Sequence, residues 1–210
     1  MNKNRHQRIP CRTLCILAFS MLLAGCTALP APKPENTHIY LLDAQPTVKA
    51  SQVRRDLVLA VAMPHARPGF DTPQMAYLRQ PHELEYFAVN RWADAPPHMM
   101  WPLLVQALEQ TGGFRAIVQT PGAIPADVRL DVELIRLQQD FGTTPSRVQL
   151  TLRAQLSDVR SKRVLGVKQF DEVQNAASDD AYGGVIAANQ VMQRVLNHLT
   201  DFCLDASASP

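Results

Sequence analysis

Strict alternation of apolar and polar residues marks two segments of this chain. In the first, Val128, Leu130, Val132 and Leu134 alternate with Arg129, Asp131 and Glu133. In the second, Val148, Leu150, Leu152, Ala154 and Leu156 alternate with Gln149, Thr151, Arg153 and Gln155. A period of two puts each apolar set on one face of a sheet and leaves the polar set in water. The run 164–170 follows Ser161, Lys162 and Arg163 and reads as the return strand of an antiparallel hairpin. Its register is specified, because a slip of one residue exposes the whole apolar set. Shorter apolar runs at 38–42 and 57–63 read as strands. Segments 75–79 and 83–88 flank Gln80, Pro81 and His82, a pattern that predicts a second hairpin turning at the proline.

Two stretches have helical spacing instead. From 97 to 110, Met100, Leu103, Leu104, Ala107 and Leu108 form one apolar face, and Gly112 and Gly113 supply the stop. Pro102 is tolerated there because it lies in the opening turns. From the capping cluster Ser178, Asp179 and Asp180 to Phe202, a stripe of Val185, Ala188, Met192, Val195, Leu196, Leu199, Phe202 and Cys203 recurs at helical intervals. The predicted architecture is α+β: a mainly antiparallel sheet with two helices packed on one face, preceded by a signal peptide and a Pro-rich tether.

The N-terminal segment has another pattern. Lys3, Arg5, Arg8 and Arg12 precede an apolar run at 14–24 of eleven residues, with no acidic residue before it. That length suits a signal-peptide h-region and is too short to span a bilayer. The run ends in Leu23-Ala24-Gly25-Cys26, which resembles a bacterial lipobox cut between Gly25 and Cys26. Cys26 is then the acylated N-terminus, and at about 0.8 kcal/mol per buried methylene three acyl chains hold the protein in a membrane almost permanently. Thr27 stands where lipoproteins retained in the inner membrane usually have Asp, so the expected location is the outer membrane, facing the periplasm. Pro30, Pro32 and Pro34 make a semi-stiff spacer of about 3.1 Å per residue. The expected organisation is a signal peptide at 1–25, a lipidated tether at 26–37, a folded domain at 38–204 and a loose tail at 205–210.

Charge changes with that cut. Four of the 21 basic residues leave with the signal, so 17 remain against 19 acidic ones. A slightly acidic mature chain lacks the clustered positive charge that nucleic-acid binding needs. Cys11 and Cys15 also leave, Cys26 carries lipid, and Cys203 alone remains, which excludes an intrachain disulfide. On the helical stripe, Cys203 reads as a small buried apolar residue.

No pattern of catalysis stands out. Gly-x-Ser-x-Gly, His-Glu-x-x-His, paired zinc cysteines and a Walker loop are all missing. No catalytic residue, metal ligand or cofactor is assigned. His38, His65, His82, His98 and His198 are scattered, and Asp131 and Glu133 read as a solvated strand face. The unusual stretch is 68–94, dense in aromatics, arginines and turn formers. In a structural reading Trp92 and Tyr86 plug the sheet–helix junction, while Arg91 and Asp94 bond the connection into the helix; this carries the greater weight. In an interface reading Phe70, Tyr77, Arg79, Tyr86, Arg91 and Trp92 form a partner-facing rim, since Tyr, Trp and Arg are enriched at hot spots.

At these residues the sequence resembles the ABC-type transport auxiliary lipoprotein family, which includes the lipoprotein component of the paraquat-inducible (Pqi) system. The pattern runs through His38-Ile39-Tyr40-Leu41-Leu42, Pro68-Gly69-Phe70-Asp71, Met75-Ala76-Tyr77-Leu78-Arg79, Arg91-Trp92-Ala93-Asp94, Gly113-Phe114 and Ala187-Ala188-Asn189. It covers about 38–203. The resemblance implies a periplasm-facing lipoprotein that works with an ABC ATPase, a permease and an MCE-domain protein moving lipids between two membranes. It offers no catalytic residue to carry over. The expected function is therefore a non-enzymatic auxiliary subunit that docks such an assembly at the outer membrane, with homo-oligomerisation left open. One alternative is a lipoprotein that holds a lipid in its own apolar groove; another is a periplasmic hydrolase without a familiar motif.

Overall fold

The two alternating segments pair with each other and form the spine of the sheet. β7 (Val128–Asp140) and β8 (Arg147–Asp158) are antiparallel, with Leu130 opposite Leu156, Val132 opposite Ala154 and Leu134 opposite Leu152. All six of these side chains are buried. A register shift between Leu134 and Arg136 inserts one extra residue, after which Leu137 pairs with Leu150 and returns to the core side. β9 (Val164–Asn175) adds to β8, also antiparallel, and sets Phe170 opposite Leu152. This computed structural model describes residues 36–208, and the expected signal peptide, Cys26 and most of the tether lie outside them. From Thr37 onward the described residues make up one compact unit.

The second edge of β7 is shared by three strands in succession. β2 (Arg55–Ala62) pairs with it at Val128–Leu130, β3 (His65–Ala66) at Glu133 and Leu134, and β4 (Gln74–Leu78) at Gln139 and Asp140. All three pairings are parallel. β6 (Phe114–Thr120) runs parallel to β2 on its far side, and β1 (His38–Tyr40) runs parallel to β5 (Leu84–Trp92). The fold is α+β and its sheet is mixed. The two longest ladders are antiparallel, and the parallel pairs go beyond the expected hairpins. β4 and β5 form the hairpin expected around Pro81, with Leu78 opposite Leu84 and His82 at a φ of 70° in the turn.

Helix α1 (Pro96–Gln110) starts on Pro96 and Pro97, where a missing N–H costs nothing, and continues through Pro102. It stops where Gly112 takes a φ of 61° and donates its N–H to Glu109 at 3.0 Å. Helix α2 (Ala181–Ala206) begins at Asp180, whose carboxylate accepts the Gly183 N–H at 2.7 Å. That bond holds the Asp180 carboxyl below the usual carboxylate range. α2 runs on to Ala206 and so takes in the first two residues of the tail expected from 205.

The predicted helical stripes are the buried ones. Met100, Leu104, Ala107 and Leu108 of α1 and Ala188, Met192, Val195, Leu196, Leu199 and Cys203 of α2 meet the inward set of β7 and β8 in one apolar cluster. Each large member contributes about 1.5–3 kcal/mol before chain entropy is subtracted. Phe202 is only half-buried and packs edge-on against Phe170, with ring centroids 6.2 Å apart. The polar residues of β7 lie opposite, where Arg129 pairs with Asp131 at 2.7 Å and Glu133 with Arg67 at 3.1 Å. These pairs are substantially exposed, which limits each to at most about 1 kcal/mol.

Candidate docking site

Residues 41–47 leave β1 and run extended along α2. Leu42, Ala44 and Pro46 face inward while Leu41, Asp43, Gln45 and Thr47 are exposed. An extended chain needs partners for its backbone groups, and here the side chains of α2 supply them. Asn189 accepts the Asp43 N–H at 2.8 Å and donates to the Leu41 carbonyl at 3.2 Å. Gln193 donates to the Gln45 carbonyl at 2.7 Å, and Asn197 accepts the Thr47 N–H at 3.3 Å. Residues four apart share one helix face. The amides at 189, 193 and 197 therefore form a ladder that reads alternate residues of the strap. Sequence reasoning quoted Asn189 without this role; the signal was amides at that spacing beside an apolar stripe.

Outside the strap, Ile39, Leu41, Tyr182 and Ile186, edged by Asn189 and Gln190, line an open groove of about 550 Å3. Ile39, Leu41 and Tyr182 are well exposed. Tyr40 lies beside Tyr182 with its ring tilted by 38° and centroids 6.2 Å apart, and donates to Asn90 at 3.2 Å. This apolar relief lies directly after the first described residues.

The hairpin divides the six residues considered as a rim. Ala76 faces Tyr86 and Tyr77 faces Glu85 across the ladder, so neighbouring residues point to opposite faces. Tyr77 is buried against Phe87 at 4.6 Å and Phe141 at 5.8 Å. Its hydroxyl donates to Glu85 at 2.8 Å, a bond that raises the phenol above its ordinary pKa. Trp92 ends β5 at 4 % exposure, inside the core cluster, and its backbone N–H bonds Pro73 at 2.8 Å. Tyr86 donates to the Gly69 carbonyl at 3.0 Å, and Phe70 packs half-buried nearby, which stitches the 67–73 loop onto the hairpin. Gly69 has a φ of 95°, and a Cβ there would press on Leu84. Arg79 and Arg91 are the two with side chains in solvent. Arg79 lies 5.4 Å over the Tyr77 ring and 3.7 Å from Glu85. The structure thus does not gather the six into one patch. Asp94 accepts the Ala95 N–H at 2.7 Å and pairs with His98 at 3.2 Å, and these bonds lower its pKa.

The interior leaves little room. A cavity of about 20 Å3 among Met75, Phe87, Trp92, Leu137, Gln139 and Ala188 has space for one water. Gln139 spans the junction there, donating to Ser146 at 2.9 Å and to the Asp180 carbonyl at 3.1 Å, while its Oε1 is buried without a hydrogen bond against Gly184. An open recess of about 360 Å3 on the polar face holds His65, Asp131, Glu133, Arg153 and Gln155, but its carboxylates are already bonded by Arg129 and Arg67. Among the described residues, no three His, Cys, Asp or Glu side chains gather around a metal-sized site. Cys203 is fully buried, and burial pushes its thiol up, away from the reactive thiolate. No described helix is long and apolar enough to cross a membrane.

Comparison with known proteins agrees with this architecture. The chain is similar in fold to a crystal structure of protein XCC0632 from Xanthomonas campestris, at 23 % identity and a TM-score of 0.75, covering 81 % of this chain and 96 % of that one. A second crystal structure, of an uncharacterized protein, aligns at 14 % identity and a TM-score of 0.64 over 80 % of this chain and 99 % of its own. Among proteins of curated function none matches in sequence. The sequence model of the family described as "ABC-type transport auxiliary lipoprotein component" matches residues 40–200, which spans the strap, strands β2 to β9, α1 and most of α2. The chain belongs to the ABC-type transport auxiliary lipoprotein family.

Proposed function

We propose that this protein is a non-enzymatic accessory subunit of an ABC/MCE-type intermembrane lipid-transport system, anchored through acylated Cys26 in the outer membrane and docking the assembly there from the periplasmic side. Family membership supplies the transport-auxiliary role. The observation that carries the docking reading is the contrast between a filled interior and an open exterior. A cavity of about 20 Å3 cannot enclose an acyl chain, whereas the groove beside the strap is open and sets Ile39, Leu41, Tyr182 and Ile186 among the polar Asp43, Gln45, Asn189 and Gln193. An MCE-domain protein is the proposed partner, met by exposed strand edges, by the groove or by Arg79 and Arg91.

Co-purification of the acylated protein, with mass spectrometry of bound proteins and lipids, tests this reading. An MCE-domain protein among the stoichiometric partners is the expected result. Stoichiometric lipid beyond the anchor, without that partner, would favour the lipid-holding alternative, and the groove would be its site. Neither would overturn both.

Anchoring has its own test. Cys26→Ser is expected to move the protein from the membrane to the soluble fraction or leave it as unprocessed precursor, because the acylated thiol is lost. Thr27→Asp is expected to shift it from outer- to inner-membrane fractions. Unchanged fractionation of the second variant would remove the outer-membrane assignment while leaving lipidation intact.

A further inference from the structure

The turn between β8 and β9 is shaped by its own side chains. Asp158 accepts the Ser161 N–H at 2.6 Å and the Ser161 hydroxyl at 2.7 Å, and its own N–H donates to the Arg163 carbonyl at 2.8 Å. A carboxylate that bonds groups just ahead of it fixes a turn. Lys162 takes a φ of 58°, which reverses the chain. The Val159 N–H donates to the Asp127 carbonyl at 2.9 Å and ties the turn to the loop before β7.

This scaffold presents positive charge. Arg160, Lys162 and Arg163 are exposed, and none of them enters an ion pair among the described residues. Asp158, the one carboxylate of the turn, is taken up by Ser161. The mature chain is slightly acidic, yet three of its 17 basic residues fall within 160–163. Val159 and Val164, at 45 % and 53 % exposure, flank the cations on both sides.

The turn also projects. A Cβ at Gly166 would meet Ala206 at 3.3 Å, whereas Glu172 binds Arg194 at 2.8 Å, so α2 runs antiparallel to β9 and ends level with Gly166. At about 3.3 Å per strand residue, position 163 lies about 10 Å beyond the helix end. Asp205, the last acidic residue of α2, is set back behind the turn.

A convex tip with cations around apolar side chains suits a surface of anionic lipid headgroups. There valine enters the interface and each cation gains from the negative potential. A protein partner fits less well, because so short a turn falls far short of the roughly 800 Å2 per partner of a stable interface. A tethered domain needs only a weak contact, since its tip is held near the bilayer at high effective concentration. The twelve residues from Cys26 to His38 allow at most about 40 Å of travel.

We infer that the β8–β9 turn is a second membrane contact, with Arg160, Lys162 and Arg163 on anionic phospholipid headgroups of the anchoring membrane and Val159 and Val164 in the interface. The choice of membrane rests on the proposed Cys26 anchor, whereas the lipid chemistry rests on the turn alone.

The test uses the full-length acylated protein in vesicles of phosphatidylcholine, alone or with an equal part of phosphatidylglycerol. An environment-sensitive fluorophore is placed on Val164→Cys or, in the β7–β8 loop at the opposite end of the sheet, on Thr143→Cys. Cys203 is buried and does not take the label. Val164→Cys is expected to lose water contact in the anionic vesicles only, and Thr143→Cys in neither. High salt should reverse the change. Arg160→Gln, Lys162→Gln and Arg163→Gln should each lower the contact equilibrium about fivefold, and together about a hundredfold, with an unchanged unfolding midpoint. Protein that floats with both vesicles while Val164→Cys stays in water overturns the contact and leaves the anchor standing. Equal shielding in neutral vesicles also overturns it, as does shielding found only in native membranes, which would make the turn a protein contact. Flotation with anionic vesicles alone would remove the anchor and keep the contact; flotation with neither would remove both.

Discussion

Trp92→Ala is expected to cost about 3–5 kcal/mol, the usual range for truncating a buried indole. Trp92 closes β5, pairs with Tyr40 of β1 and lines the cavity shared by Phe87, Leu137 and Ala188. Its removal enlarges a void at the one place where hairpin, central strand and α2 meet, and nearby side chains have little slack to refill it. Against a typical total of about 5–15 kcal/mol, that loss leaves a marginal or unfolded domain. Denaturant unfolding of the purified chain measures it, and Trp92→Phe should recover most of the stability. A well-folded Trp92→Ala variant that loses its protein partner would instead make Trp92 an interface residue.

Gly183→Ala is the second large effect, expected at about 2–4 kcal/mol from overpacking combined with a lost cap. A Cβ at 183 would fall on the backbone carbonyl and nitrogen of Ser178, atoms that cannot rotate aside. The displaced turn carries Asp180, whose carboxylate holds the Gly183 N–H, so the clash also opens the start of α2. Gly112→Ala is the contrast. Nothing stands within 4 Å of its Cβ, and only the φ of 61° opposes it, at a cost of about 1 kcal/mol. Thermal unfolding of the two variants should rank them in that order, with early amide exchange at 181–186 in Gly183→Ala alone. Because the Asp180 pKa is depressed in the fold, its capping contribution is present above the ordinary carboxylate range. It is lost as pH falls through the folded value, so acidification should narrow the difference between wild type and Asp180→Ala.

Periodicity made much of the core legible. The inward residues of β7 and β8 were readable because burial on one face demands a period of two. The stripe from Val185 to Cys203 was readable because burial of one helix face demands a period near 3.6. Asp180 and Gly112 marked helix ends through local chemistry that needs no tertiary partner. The family pattern was likewise carried by adjacent residues, as is the Leu23–Cys26 motif on which the proposed lipid anchor rests.

The tertiary structure decided what alternation cannot encode, namely which strand lies beside which and in what direction. A parallel and an antiparallel neighbour bury the same face, so the pairing of β2, β3 and β4 along one edge of β7 left no trace in the residue pattern. β6 went unread because Phe114–Thr120 alternates weakly. The strap was invisible for a different reason: its hydrogen bonds come from side chains such as Asn189, 148 residues from Leu41. The rim suggested by composition separated across two faces of a hairpin once adjacent residues took opposite sides. Sequence determined which residues avoid water and where helices begin and end, since those depend on near neighbours. The folded chain alone determined the strand partners and the clamped strap, because each depends on residues that only folding brings together.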